Sequence, residues 1–221
     1  MQKENKKIQS YVFYPIDSRM YIWYEGDSAV VIDPCISKDA LLCLRGKNIN
    51  RILVILTHEH YDHISGVNYW KEKCEAKVIC SKSCAENIKS SRKNLSIFFK
   101  TFCELQIWVK LKVPVENVEY VCQADKFFDN SLTIEWQGNK IYLFGCPGHS
   151  LGSSCVLVND KILFSGDSLF KDYPTVTGLP GGSKKGWLEK SLPFLKSLPK
   201  DTIVYPGHFN SFCIKDYYLW E

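Results

Sequence analysis

Three absences narrow the possibilities for this chain before any motif is considered. No run of residues reaches the ~18 consecutive apolar positions that a membrane-spanning helix needs, so we expect no membrane partner. The first residues, MQKENKKIQS, are charged and lack the apolar core of a signal peptide, and we therefore expect a cytoplasmic protein. No block of lysine and arginine is dense enough for a nucleic-acid arm, and the formal net charge is only +4. We therefore expect no nucleic-acid partner.

Cysteine is plentiful, but it lacks the spacing of a structural zinc site. The chain has ten cysteines, and no two of them form a C-x-x-C pair. Cys80 and Cys84 lie close in sequence without a second pair at zinc-finger spacing. Most of the cysteines fall inside apolar runs, which is typical of free, buried thiols in a reducing compartment.

The composition is that of an ordinary globular protein. Hydrophobic residues make up 45% of the 221 residues and charged residues 24%. A chain of this length can bury a substantial core. We expect one α/β domain over residues 1–221, with a helical insertion around residues 85–120.

Short runs rich in branched and aromatic residues predict strands in both halves of the chain. They are YVFYP, MYIWYE, AVVID, ILVIL and AKVIC in the first half, and SLTIEW, KIYLFG, SSCVLV, KILFSG and TIVY in the second. Helices are predicted between the N-cap Ser37 and Gly46, over residues 85–113, and over WLEKSLPFLKSL. This order predicts helices packed outside two sheets.

All five histidines of the chain follow predicted strands. His58, His60 and His63 stand in THEHYDH, directly after ILVIL, while His149 follows IYLFGCPG and His208 follows TIVYPG. A carboxylate has the same setting in KILFSGD, which ends at residue 167. Loops held at the ends of rigid strands are where binding sites are usually built. The distribution therefore predicts a metal site assembled from these loops.

The spacing within THEHYDH divides its side chains between two ions. In an extended segment, residues two apart point the same way, so His58 and His60 can share one ion. Asp62 and His63 are adjacent and diverge, so they can address a second ion. Imidazole and carboxylate ligands suit zinc, and also iron or manganese.

These motifs together resemble those of the metallo-β-lactamase superfamily. THEHYDHISG is similar to its H-x-H-x-D-H-x-x-G motif, CPGHSLGS to its P-G-H-T-x-G-S segment, FSGDSLF to G-D-T-L-F, and YPGHF to its final P-G-H. The motifs occur in the family's order and span residues 11–210. The resemblance implies a four-layer αββα sandwich with the metal site at one edge of the sheets.

The resemblance also implies a ligand set and a chemistry. The implied ligands are His58, His60 and His149 for a first metal, Asp62, His63 and His208 for a second, and Asp167 between both. Two divalent ions, with zinc favoured and iron or manganese as alternatives, would activate a bridging hydroxide for hydrolysis. Asp62 would be the catalytic residue that orients this hydroxide and carries a proton.

Within the superfamily, the chain looks most like glyoxalase-II-type thioester hydrolases. FSGDSLF followed by LPGGS resembles that branch, and so does Asn94-Leu95-Ser96. The chain departs from it at TVTG, residues 175–178, where the branch has an arginine. The sequence ends about a dozen residues beyond His208, where that branch continues into a C-terminal helical domain, and it has an apparent insertion at about residues 97–120. The implied function is hydrolysis of a small thioester, ester or lactone.

Two other functions remain open at this stage. A mononuclear iron enzyme that oxidises persulfides would use His58, His149 and Asp167, whereas a phosphodiesterase or nuclease would use the full set. A homodimer is also open. The insertion, with Phe98, Phe99, Phe102 and Trp108, can be an apolar lid or wall, a core helix or a dimer contact. Cys146 either lies near the metals or fills space in its loop.

Overall fold

The computed structural model describes residues 8–105, 111 and 113–217. Its strands form two mixed six-stranded sheets. The first sheet contains, in spatial order, β1 (Gln9–Phe13), β2 (Ser18–Glu25), β3 (Ser28–Ile32), β4 (Arg51–Ile55), β5 (Glu75–Ser81) and β6 (Lys126–Phe128). The second contains β7 (Ser131–Trp136), β8 (Asn139–Gly145), β9 (Ser154–Val158), β10 (Ile162–Gly166), β11 (Ile203–Pro206) and β12 (Phe212–Cys213).

The helices are short and connect or flank these strands. They are α1 (Lys38–Arg45), α2 (Tyr61–Ile64), α3 (Val67–Lys73), α4 (Lys82–Asn87), α5 (Phe99–Leu105), α6 (Lys184–Gly186) and α7 (Leu192–Ser197). The cap predicted for α1 is confirmed, because the Ser37 side chain accepts a hydrogen bond from the Ala40 amide and Gly46 follows the last turn. In the second half, the π-helical turn Trp187–Ser191 continues directly into α7, and Pro193 lies in the first turn of α7.

Successive side chains of each strand point to opposite faces of its sheet, and three layers of apolar core result. On β2, Met20 and Ile22 pack toward α1, α3 and α4, whereas Tyr21 and Trp23 pack toward the second sheet. A third cluster lies between the second sheet and α7, around Leu195. The two sheets therefore face each other and helices cover their outer faces, which confirms the predicted αββα sandwich.

The parallel strands bring distant loops to one edge of the sandwich. Ile32 of β3 pairs with Ile55 of β4, so that the residues following both strands emerge side by side. β10 and β11 are parallel as well, and their following loops reach the same edge. The two sheets are joined there by a hydrogen bond from the Ser154 amide to the Thr57 carbonyl, at 2.7 Å.

The prediction of one continuous helix over residues 85–113 is wrong. α4 ends at Asn87, a left-handed residue at Leu95 (φ 65°) interrupts the segment, and α5 begins at Phe99. The cause is Asn94, whose side chain accepts from the Ser96 amide and donates to the Tyr120 carbonyl. Such local hydrogen bonds compete with those of a helix.

The aromatic residues of this insertion differ in their surroundings. Phe99 is buried against Phe13 and Tyr61, whereas Phe98 is 42% exposed. Phe102 is half-buried and reaches the candidate site described below. Trp108 lies outside the described residues.

Candidate metal centre

The structure brings all seven predicted side chains together at one edge of the sandwich. The loop after β4 carries His58 and His60, and α2 carries Asp62 and His63. The loops after β8, β10 and β11 carry the other three, which are His149, Asp167 and His208. All seven are buried. Asp62 and His63 belong to a single helical turn that begins after His60.

The first group comprises His58, His60 and His149. One ring nitrogen from each lies within 4.8 Å of the others. His60 Nδ1 and His149 Nε2 are 3.0 Å apart, and His58 Nε2 is buried without a hydrogen-bond partner. Three buried nitrogens converging in this way fit a divalent ion that accepts imidazole ligands.

The second group comprises Asp62, His63 and His208. His63 Nε2 lies 3.0 Å and His208 Nε2 3.4 Å from Asp62 Oδ2. His63 Nε2 makes no hydrogen bond, although it is completely buried. Two imidazoles and one carboxylate are again a donor set that suits zinc, iron or manganese.

Asp167 lies between the two groups. Its Oδ2 is 3.5 Å from His149 Nε2 of the first group and 3.5 Å from His208 Nε2 of the second. Its Oδ1 is 3.4 Å from His63 Nε2 and has no hydrogen-bond partner. This carboxylate therefore lies within 3.5 Å of ring nitrogens from both groups.

Hydrogen bonds behind the rings orient the histidines. His149 Nδ1 donates to the Val176 carbonyl and His208 Nδ1 donates to the Ile16 carbonyl, each at 3.0 Å. Because a carbonyl can only accept, both rings carry a proton on Nδ1, so that in the neutral form of each ring the Nε2 lone pair is directed toward the cluster. Val176 belongs to TVTG, so a backbone atom of this departing segment positions one of the histidines.

Burial keeps the first group neutral. It lowers the pKa of His60 and of His149 to about 4 and the pKa of His58 well below its ordinary value. Neutral imidazole is the form that binds a metal. At neutral pH these three side chains are therefore ready to act as ligands.

The second group behaves differently because two carboxylates, those of Asp62 and Asp167, face its histidines. Burial opposes charge on His63 and His208, but Asp62 and Asp167 outweigh it. They raise the pKa of His208 to about 9 and that of His63 well above its ordinary value. Burial likewise opposes ionisation of the two carboxylates, but the neighbouring histidines hold the pKa of each well below its usual range. Metal binding to this group therefore requires proton release.

Asp33 is a site residue that the sequence reasoning missed. Its Oδ2 is 3.0 Å from His63 Nδ1, and its two oxygens accept from the amide and hydroxyl of Thr57, at 2.7 and 2.6 Å. Burial raises the pKa of Asp33, partly offset by His63 and Thr57. The signal was present in the sequence, since Asp33 follows the strand AVVI just as Asp167 follows its own strand.

Glu59 is the second missed residue, and it joins two loops of the site. It is buried between His58 and His60, accepts from the Ser150 hydroxyl at 2.8 Å and accepts from the Asn87 amide at 2.9 Å. Ser150 directly follows His149. The carboxylate thereby holds the loop of His149 against the loop of His58 and His60.

Cys146 is completely buried in the apolar cluster beneath α7. It does not belong to either histidine group described above. Its position agrees with the alternative in which this cysteine fills space in its loop.

A cavity of about 110 Å³ opens beside the cluster. Its lining includes His149, Asp167 and His208 on one side. The remaining lining residues are apolar or aromatic: Ile16, Phe102, Phe170, Tyr173, Pro174, Val176, Leu179 and Phe209. A small molecule bound here would lie directly against the proposed ligands.

Comparison with known proteins agrees with this geometry. The family model of the metallo-beta-lactamase superfamily matches residues 18–208. The chain belongs to this superfamily. The matched region begins at β2 and ends at His208, and it therefore includes all seven predicted ligands and Asp33.

The curated relatives of this chain include hydroxyacylglutathione hydrolases. The chain is 27% identical over 218 residues to a hydroxyacylglutathione hydrolase of Prochlorococcus marinus, covering 92% of this chain and 71% of the relative. It is 29% identical over 194 residues to a hydroxyacylglutathione hydrolase of Buchnera aphidicola, covering 85% of this chain and 61% of that relative. The chain thus spans roughly two thirds of the length of these relatives.

Among solved structures, the B3 metallo-beta-lactamase BLEG-1 superposes with a TM-score of 0.76 at 25% identity, covering 95% of each chain. The protein TTHA1623, solved in a di-iron-bound form, has a TM-score of 0.67 at 25% identity and covers 94% of this chain and 95% of its own. Within the described residues, no helix is both long and apolar enough to cross a membrane.

Replacing Asp33 with asparagine is expected to weaken metal binding by the second group about 10- to 100-fold, the usual effect of losing a partner behind a ligand. The carboxylate that fixes the orientation of His63 becomes a neutral amide, while Thr57 keeps one acceptor. Competition with a chromophoric chelator measures the affinity of each site. Asp160→Asn, an exposed change on the turn before β10, is the control. Unchanged affinity in the Asp33 variant would contradict the orienting role.

Proposed function

We propose that this protein is a dinuclear metal-dependent hydrolase that acts on a small thioester, ester or lactone. The observation that carries the proposal is Asp167, whose carboxylate stands between two groups of buried ligand-type side chains. His58, His60 and His149 would hold one ion, and Asp62, His63 and His208 the other, with Asp167 contacting both. Similarity to hydroxyacylglutathione hydrolases and to a di-iron protein supports the same assignment.

The bound ions would lower the pKa of a coordinated water and polarise the carbonyl oxygen of the substrate. The chain's own contribution begins with Asp62, which can accept a hydrogen bond from the attacking water and take up its proton at a carboxylate oxygen. Asp33 keeps His63 in the orientation that the site requires. Glu59 holds the two histidine loops in register, so that the reacting groups meet in a fixed geometry.

Metal analysis combined with kinetics tests this function. We expect two metal equivalents per chain, complete loss of thioester hydrolysis after chelation, and recovery when zinc, iron or manganese is restored. Zinc suits the donor set best on chemical grounds. Full activity with one equivalent would contradict the two-metal assignment.

A second measurement separates hydrolysis from oxidation. The metal-loaded protein is incubated with glutathione persulfide in an oxygen electrode, in parallel with the thioester assay. We expect thiol release from thioesters and no oxygen uptake. Oxygen consumption without thioester hydrolysis would replace the proposed function with persulfide oxidation.

A further inference from the structure

The cavity beside the metal ligands has two chemically different sides. His149, Asp167 and His208 form the polar side, where the reacting carbonyl would lie. Of the described residues on the other side, none is a lysine, arginine, aspartate or glutamate, and the Tyr173 hydroxyl is the one side-chain polar group. A hydroxyl or charged group entering this side would therefore lose water with little to replace it.

An aromatic wall made of Phe170, Tyr173 and Phe209 closes this apolar side. The Phe209 ring stacks on Tyr173 with centroids 4.8 Å apart and meets Phe170 edge-on at 5.6 Å. Phe170 also lies 6.1 Å from the ring of His208. The wall thus begins at a proposed ligand and continues toward the cavity mouth, where Tyr173 is 41% exposed.

Phe209 holds its place in this wall through an unfavourable backbone conformation. Its φ is 68°, in the left-handed region that bulky residues rarely adopt. The residue directly follows His208 in YPGHFN, so the turn that delivers the histidine also turns the phenyl ring into the cavity. Strain of this kind persists where the surroundings enforce it, most often at binding sites.

The size of the cavity limits what it can hold. Its volume of about 110 Å³ is close to that of apolar cavities, ~150 Å³, that accept a benzene ring. A short aliphatic chain or a single aromatic ring fits within this space, whereas a long acyl chain would extend beyond it.

We infer that the cavity binds the acyl group of the substrate and selects short aliphatic or single-ring aromatic acyl groups over 2-hydroxyacyl groups, with Phe209 as a specificity-determining residue. This inference rests on the proposed hydrolase function. Water adds to the acyl carbon as its bond to sulfur breaks. One product is a carboxylic acid, whose apolar part packs against the aromatic wall. The other product is a thiol, which takes up a proton from the attacking water.

Kinetics with one thiol and different acyl groups test the selection. Lactoyl, acetyl, butyryl and benzoyl thioesters of the same thiol are compared on the zinc-loaded protein. Two added methylenes predict a kcat/KM about tenfold higher for butyryl than for acetyl, and lactoyl is expected to be the poorest. In Phe209→Gly, where glycine tolerates the backbone conformation, the ratio of kcat/KM for butyryl to that for acetyl is expected to fall to about twofold.

Two further variants support the comparison. Tyr173→Ala removes the stacking partner from an exposed loop position and is expected to reduce the same preference, so the test does not depend on one variant folding. Phe127→Ala, at a 55% exposed position on β6, removes a phenyl ring outside the cavity and serves as the matched control. It should keep the wild-type preference.

Binding of products distinguishes the failure of this inference from the failure of the proposed function. Calorimetry with benzoate and lactate on zinc-loaded protein should show benzoate binding at least tenfold tighter, with the difference lost in Phe209→Gly. Hydrolysis without acyl preference, or equal losses for all substrates in Phe209→Gly, overturns the inference and leaves the hydrolase. Phe209-dependent benzoate binding without hydrolysis of any thioester, ester or lactone supports the pocket and overturns the hydrolase.

Discussion

The Asp62→Asn variant is expected to lose about 10²- to 10⁴-fold in kcat/KM for thioester hydrolysis, the range associated with removing a general acid–base group. Asparagine has nearly the same shape as aspartate, but its amide cannot take up a proton at neutral pH. It also removes the negative charge that faces His63 Nε2 at 3.0 Å and His208 Nε2 at 3.4 Å. Loss of turnover should therefore be accompanied by weaker binding of the second metal.

The measurement combines steady-state kinetics with elemental analysis of the same preparation. Circular dichroism establishes that the variant is folded. Asp129→Asn is the matched control, because Asp129 is a 73% exposed carboxylate paired only loosely with Lys82 at 3.5 Å. Retention of full activity and two metal equivalents by Asp62→Asn would refute the assigned role.

The Gly207→Ala variant is expected to lose at least about 100-fold in activity, because a displacement of ~1 Å at a reacting group can cost that much. A β-carbon at this position would overlap Asp167 Oδ1 and would approach His63 Cε1 to 2.7 Å. The backbone has no room to retreat, since the Gly207 amide donates to the Gly166 carbonyl and its carbonyl accepts from the Arg19 amide, at 2.8 and 2.7 Å. Overpacking of this kind usually costs about 1–3 kcal/mol of stability.

Urea unfolding and kcat/KM, measured together, separate the two effects of this substitution. Gly178→Ala adds the same methyl group where no heavy atom lies within 4 Å, so it should leave both quantities near their wild-type values. If Gly207→Ala retained wild-type activity and metal content, the close packing of this glycine against Asp167 would have no functional consequence.

Most strands of the sandwich could be predicted from local patterns in the sequence. The runs ILVIL and KILFSG are strands because branched and aromatic side chains suit a buried, pleated surface, and α1 begins at Ser37 because a serine oxygen satisfies a free amide there. The two unpredicted strands, β6 and β12, have three and two residues. Elements so short carry no periodicity of their own and form by pairing with their neighbours.

The break in the helix predicted over residues 85–113 has a similar explanation. The spacing of apolar residues gives no information about the hydrogen bond from Asn94 to Tyr120, which is distant in sequence. Phe98 closes the 3-10 turn Ser96–Phe98 and is 42% exposed, whereas Phe102 lies within α5 and is half-buried. Long-range contacts, rather than intrinsic propensity, decided where this segment is helical.

The sequence by itself determined the members of the candidate metal centre, since THEHYDH and three later loops supply the residue types that bind metals, each following a strand. Only the tertiary structure decided which residues hydrogen-bond to these side chains and what shape and lining the cavity has. The parallel register of β3 and β4 delivers Asp33 to His63, and the aromatic wall joins segments that are separated along the chain. The physical reason is that ligand chemistry is a property of single side chains, whereas the shape and polarity of a cavity arise from how distant segments pack against each other.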